Sequence, residues 1–294
     1  MAATDYSTLS NSLPSRPHPV ISEFDEQLNR LEASEATSTS SSSICHKLNG
    51  LQALRCCIDK LLQFPLTQQT LSQEQHKIWF HELLDGSLRL LDVCITSKDA
   101  LLKIKDHAQE LQSTLCRKQG GKFEFACEVK KYLTSRKAVK KAIRSALSKL
   151  KCMENKHIAS PSNREKEIAV MTNMLREVDA VTLTVLKSML SFISGPQSSS
   201  RSTGWSMVSK LMHKRRVVCE EEETDINEIT KVDAALHALR YCKTNIFNGI
   251  TEFENLQNDL QKLELCIQDF EDGLESLYRG LIKSRVSILN ILTR

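Results

Sequence analysis

The stretch from Val232 to Ile291, VDAALHALRYCKTNIFNGITEFENLQNDLQKLELCIQDFEDGLESLYRGLIKSRVSILNI, decides the fold. Read at alternating steps of three and four it gives Val232, Ala235, Leu239, Cys242, Ile246, Gly249, Phe253, Leu256, Leu260 and Leu263. The same steps continue through Ile267, Phe270, Leu274, Leu277, Leu281, Ser284, Ile288 and Ile291. That is a heptad seam, the spacing that keeps one apolar stripe facing a partner helix. As one uninterrupted helix it would be roughly 90 Å long, at about 1.5 Å per residue. Gly249, beside Asn245 and Asn248, marks a place for a break or kink, because glycine weakens a helix interior by about 1 kcal/mol relative to alanine. Ser284 is the other soft point. The stripe needs a partner, either a second copy in a homodimer through residues 232–291 or other helices of its own chain.

Those other helices are legible upstream. Apolar faces repeat at helical spacing from about His46 to Phe64, from about Thr70 to Leu115, from Phe123 to about Asn155 and from about Glu165 to Ser194. In the region from Thr70 to Leu115, Ser97 is positioned to cap a new turn, with a bend expected near Gly86 or Thr96–Asp99. Nine glycines and six prolines in 294 residues leave little material for turns. The expected fold is therefore all-α: an elongated antiparallel bundle of long heptad-patterned helices with a disordered N-terminal arm. Intramolecular packing of the last seam is favoured over a dimer, because every stripe has to be buried somewhere.

Composition shifts set the boundaries. SLPSRPHP at Ser12–Pro19 makes residues 1–20 an extended arm, since closely spaced prolines exclude a helix. Residues 21–44 read as a short helix, carrying Phe24, Leu28 and Leu31, and a serine-rich linker. The bundle domain spans 45–294, with a flexible linker at 195–204 and a long C-terminal helix over 224–294.

Charge is segregated along the chain. From Arg117 to Lys156 there are 13 Lys/Arg against 3 Asp/Glu, whereas from Glu220 to Arg294 there are 8 against 15. Such segments attract one another unless a partner competes. Within the basic segment, Lys130, Lys131, Arg136, Lys137, Lys140, Lys141, Arg144, Lys149 and Lys151 run without an acid among them. Most lie on the side of the helix opposite Val139, Ile143 and Leu150. Lys130, Lys131, Lys137, Lys140, Lys141, Arg144 and Lys151 are the candidate contacts to an anionic surface, either an acidic, calmodulin-like protein or a membrane. Nucleic acid is disfavoured, because no aromatic residues for base stacking are interleaved with the cations. The bland alternative is a solvated face, or one that rests on the acidic C-terminal segment.

Signals for chemistry are thin. His76 and His81 are five apart and do not share a helix face as a metal pair would, and Glu82 does not complete a motif. No glycine-rich phosphate loop or nucleophile elbow occurs. The ten cysteines form no C-x-x-C pair. No cofactor, metal or enzymatic activity is expected. The absence of an apolar N-terminal run or a membrane-length apolar stretch, together with unpaired cysteines, sets the expectation of an intracellular, cytoplasmic protein.

Four runs carry a resemblance. They are SLPSRPHP at Ser12–Pro19, LLDGSLRLLDVC at Leu83–Cys94, SGPQSSSRSTGWSMVSKLM at Ser194–Met212 and ESLYRGLIKSRVSILNILTR at Glu275–Arg294. In these the chain resembles a plant-specific family described as domain of unknown function 241, related to the BYPASS-type proteins. The resemblance implies a helical, non-enzymatic protein with family-level links to root and shoot development. The function expected of the long helices is that of an interaction or scaffold protein whose surface binds an unidentified protein partner. It implies no catalytic or binding residues.

Overall fold

The computed structural model describes residues 19–35, 40–72, 77–117, 122–154, 166–195, 226–241 and 246–293. Among them are eight helices and no strand: α1 (Pro19–Glu35), α2 (Ser41–Leu62), α3 (Pro65–Leu71), α4 (Lys77–Cys116), α5 (Lys122–Glu154), α6 (Lys166–Ser194), α7 (Glu228–Tyr241) and α8 (Ile246–Leu292). The all-α expectation holds. Most of the arm and the linker residues 196–204 lie outside the described residues.

Local chemistry sets the helix ends. Ser40, inside the serine tract, caps α2: its Oγ accepts the Ser43 N–H at 3.3 Å. Pro19 and Pro65 open α1 and α3, where a missing N–H costs nothing. Gly195 closes α6 with φ +73°, its N–H donating back to Ser191 O at 3.1 Å. That left-handed conformation strains any residue with a Cβ. Asn227 starts α7, its Oδ1 accepting Thr230 N–H at 2.7 Å while its Nδ2 donates to Phe192 O. One side chain thus caps α7 and fastens it to the end of α6. Ser97 does not cap a new turn. It lies buried within the single helix α4, and its Oγ donates to Val93 O at 2.8 Å.

The last seam is where the expectation changes most. The structure describes two helices over 224–294 rather than one, separated at 242–245, just before Gly249. Glu228, in the first turn of α7, accepts a hydrogen bond from Ser41 at 2.7 Å and lies near Cys266, midway along α8. With only a short connection between them, α7 therefore folds back along α8. Ile229, Val232 and Leu236 join Leu256, Leu260 and Leu263 in one core. The front of the seam packs on its own continuation.

From Leu256 onward the seam behaves as its spacing predicts. Leu256, Leu260, Leu263, Ile267, Phe270, Leu274, Leu277, Leu281, Ile288 and Ile291 are all buried within the chain. The 47 residues of α8 span about 70 Å and form the backbone of the bundle. Helix α4 runs antiparallel to α8. Lys98 pairs with Glu275 at 2.9 Å, Lys105 with Glu271 at 2.7 Å, and Gln109 with Glu264 at 2.6 Å, one partner falling as the other rises. Helix α2 runs parallel to α8, Leu48 lying against Gly273 and Asp59 against Ser284. Helix α1 packs antiparallel on α2, and its Phe24 is fully buried.

Two apolar cores result. The larger holds the start of α2, the end of α6, and most of α4, α5, α7 and α8; the smaller gathers α1 with the end of α2, the start of α6 and Ile288 and Ile291. Between them lies a polar layer. Arg55 donates to Thr182 Oγ1 at 2.8 Å and pairs with Asp179 at 3.4 Å, and Ser284 donates to Asp59 at 2.9 Å. Burial pushes the Asp179 carboxyl above its ordinary range, against the opposing pull of Arg55.

Candidate functional site

Helix α5 sorts its residues as the spacing requires. Val129, Tyr132, Val139, Ile143, Ala146 and Leu150 are buried, and Lys130, Lys137, Lys141, Arg144, Lys149 and Lys151 are exposed. None of these six cations has an ion-pair partner among the described residues. Lys131, also exposed, instead pairs with Glu128 of its own helix at 2.7 Å. Near the end of α5, Lys187 of α6 adds to the positive field; burial, then Lys151, hold its pKa down.

Residues 220–225 lie outside the described residues; the described part of the acidic C-terminal segment covers little of this face. Glu264, Glu271 and Glu275 of α8 are engaged by Gln109, Lys105 and Lys98 of α4. Among the described residues, what reaches α5 from this segment is one carboxylate, Asp233 on α7. Arg136 grips it in a forked arrangement, Nε to Oδ1 at 3.0 Å and Nη2 to Oδ2 at 3.0 Å. Tyr132 Oη donates to Oδ1 at 3.1 Å, and Lys140 Nζ stands 3.4 Å from Oδ2. Burial, then the Asp233 charge, raise the Tyr132 pKa well above its ordinary value, so the phenol remains a donor. Arg136 Nη2 also donates to Ile193 O at 3.1 Å, linking α5, α6 and α7.

Above this cluster lies a cleft of about 330 Å³ between α5 and α7. Lys130, Lys137 and Lys140 line it from α5, His237 and Arg240 from α7, and Arg136, only 3% exposed, lies at its base. Burial lowers the His237 pKa, with Lys140, Arg240 and Lys137 acting in the same direction and Asp233 against them.

The structure thus divides the sequence candidates. Lys130, Lys137 and Lys140 come together in the cleft, Lys131 is paired locally, and Lys141, Arg144 and Lys151 occupy the outer face. Sequence reasoning missed the α7 side of the cleft, because it placed Asp233, His237 and Arg240 on one long C-terminal helix. The available signal was Arg136, a cation on an apolar seam. Buried arginines require partners.

Among the described residues, no helix is long and apolar enough to cross a membrane. No group of three or more His, Cys, Asp or Glu among them is placed to hold a metal ion. No curated protein and no solved structure matches the chain. A family model described as Protein BPS1 matches residues 47–291, from α2 to the last turn of α8. This is not a known enzyme family, and membership fits a development-related protein. The match covers most of the chain and most of both cores, and it is of the BYPASS type expected from the four sequence runs: the chain belongs to the BPS1 family.

Proposed function

We propose that this protein is a non-enzymatic interaction factor that binds an acidic partner protein through the outer face of α5. The observation that carries the reading is where the carboxylates of α8 go. The carboxylates of α8 that pair across the bundle do so with α4, which leaves Lys141, Arg144, Lys149 and Lys151 uncompensated among the described residues. Exposed like charges on a helix repel one another and favour a partner of opposite sign. The contact is one of surfaces. Wrapping of α5 by a calmodulin-like protein would require Val139, Ile143 and Leu150 to leave the core.

An anionic membrane surface is the second reading, supported by the same cations at about 1 kcal/mol each. Attachment would be electrostatic only, since the apolar side of α5 is buried. Affinity purification from plant tissue, with the wild-type chain beside a Lys141→Glu/Arg144→Glu/Lys149→Glu variant, tests the first reading. Acidic proteins retained by the first and lost by the second are expected; identical partner sets would remove it. Co-sedimentation with phosphatidylserine vesicles at low salt, abolished by the same substitutions, would favour the membrane instead. Lys140 is unsuitable for either test, because Lys140→Glu would set a carboxylate against Asp233.

A further inference from the structure

We propose that the cleft between α5 and α7 is a binding site for a phosphate monoester, carried either by a soluble metabolite or by a lipid headgroup. The site is separate from the outer face of α5 and does not rest on the proposal made for that face.

Arg136 is the first support. It is 3% exposed, and its Nη2 and Nε are occupied by Asp233 and Ile193 O, but its Nη1 has no hydrogen-bond partner among the described residues. A buried guanidinium N–H left unmade is costly, which favours any water or ligand oxygen that completes it. Its Nε and Nη2 are already held by Asp233 and Ile193 O, so Arg136 offers a phosphate oxygen its Nη1 group alone, on a guanidinium fixed before any ligand arrives.

Charge is the second support, and it is independent of that orphaned N–H. Lys130, Lys137 and Lys140 converge with Arg240 from the other helix, and among the described residues the only carboxylate lining the cleft is Asp233. Asp233 already receives Arg136, Tyr132 and Lys140, so it offers little to compensate the remaining cations. A single carboxylate ligand would leave most of them unbalanced, whereas a phosphate monoester carries nearly two charges and three acceptor oxygens. Volume agrees. About 330 Å³ admits a phosphorylated sugar or an inositol headgroup but not a folded chain. His237 on the rim supplies a donor that can gain a proton when a dianion binds.

The test uses the full chain and two probes. Inorganic phosphate is titrated by calorimetry while the His237 imidazole resonance, assigned with His237→Gln, is followed by NMR. Saturable binding with an upward-shifted His237 titration is expected. Lys137→Ala/Arg240→Ala, both at exposed positions, should weaken binding at least tenfold, whereas Lys141→Glu/Arg144→Glu should leave the His237 response in place. Vesicles containing a phosphorylated phosphatidylinositol are then compared with phosphatidylserine vesicles of equal charge density. Retention on the former alone, lost in the cleft variant, identifies a lipid headgroup; soluble binding without vesicle selectivity identifies a free phosphate. No saturable response with either probe overturns the proposal. So does equal loss in the cleft and outer-face variants, which would mean general charge attraction. The outer-face reading is judged by its own partner set, so either proposal can fail alone.

Discussion

Ser284 on α8 donates a 2.9 Å hydrogen bond to Asp59 on α2, and the other carboxylate oxygen of Asp59 receives Lys283 at 3.2 Å. The serine that looked like a weak point of the seam is therefore a register mark between two parallel helices. Sliding α2 along α8 would leave Asp59 buried and unpaired, a cost that falls on wrong registers more than on the right one. Ser284→Ala should lower unfolding stability by about 1 kcal/mol, the usual net value of such a bond. A double-mutant cycle with Asp59→Asn, read by urea denaturation, should give a clearly non-zero coupling. Additive losses would show the contact to be energetically idle.

Glycines give two predictions of opposite sign. At Gly273 a Cβ would lie 2.9 Å from Leu48 Cδ1 and 3.0 Å from Leu48 Cβ, so α2 and α8 approach closely only because no side chain intervenes. Gly273→Ala should destabilise by about 1–3 kcal/mol through overpacking, despite alanine's better helix propensity. Gly86 in α4 has no atom within 4 Å of its virtual Cβ. Gly86→Ala should stabilise by up to about 1 kcal/mol. Thermal or urea unfolding of both variants checks the pair.

Thiol reactivity should divide the described cysteines. Cys56, Cys116, Cys127 and Cys152 are exposed, whereas Cys57, Cys94 and Cys266 are buried. Burial pushes the thiols of Cys57 and Cys94 up to about 11 and about 12, and raises Cys266 further. Since the thiolate is the reactive form, iodoacetamide at mildly alkaline pH should label the first four rapidly and the other three only after urea is added. Peptide mass spectrometry reads the result site by site.

Acid should act on the α5–α7 contact through His237. Its folded pKa lies below the ordinary 6.5, chiefly through burial; Asp233 opposes this, and Lys140, Arg240 and Lys137 add smaller downward pulls. Below 6.5 the unfolded chain therefore takes up the proton first, and stability falls as pH drops through that value towards the folded pKa. His237→Gln should flatten this part of the stability–pH curve. An unchanged slope would assign the acid sensitivity to other groups.

The period of the apolar residues by itself determined much of this protein. Steps of three and four placed helices α2, α4, α5, α6 and α8 and selected the face each buries, because a helix of that length must hide a continuous stripe. It also placed the cations of α5 on the opposite side. Only the tertiary structure decided that the final seam folds back on itself, that Ser284 and Asp59 mark a register, and that Asp233 meets Arg136. Periodicity reports which face of a helix is apolar. It is blind to a change of direction between successive helices whose apolar residues keep the same steps, as between α7 and α8. The cleft is a consequence of that reversal, since it brings Asp233, His237 and Arg240 against α5 from a segment about 100 residues away. Contacts between residues so far apart depend on chain topology, and heptad spacing carries no information about it.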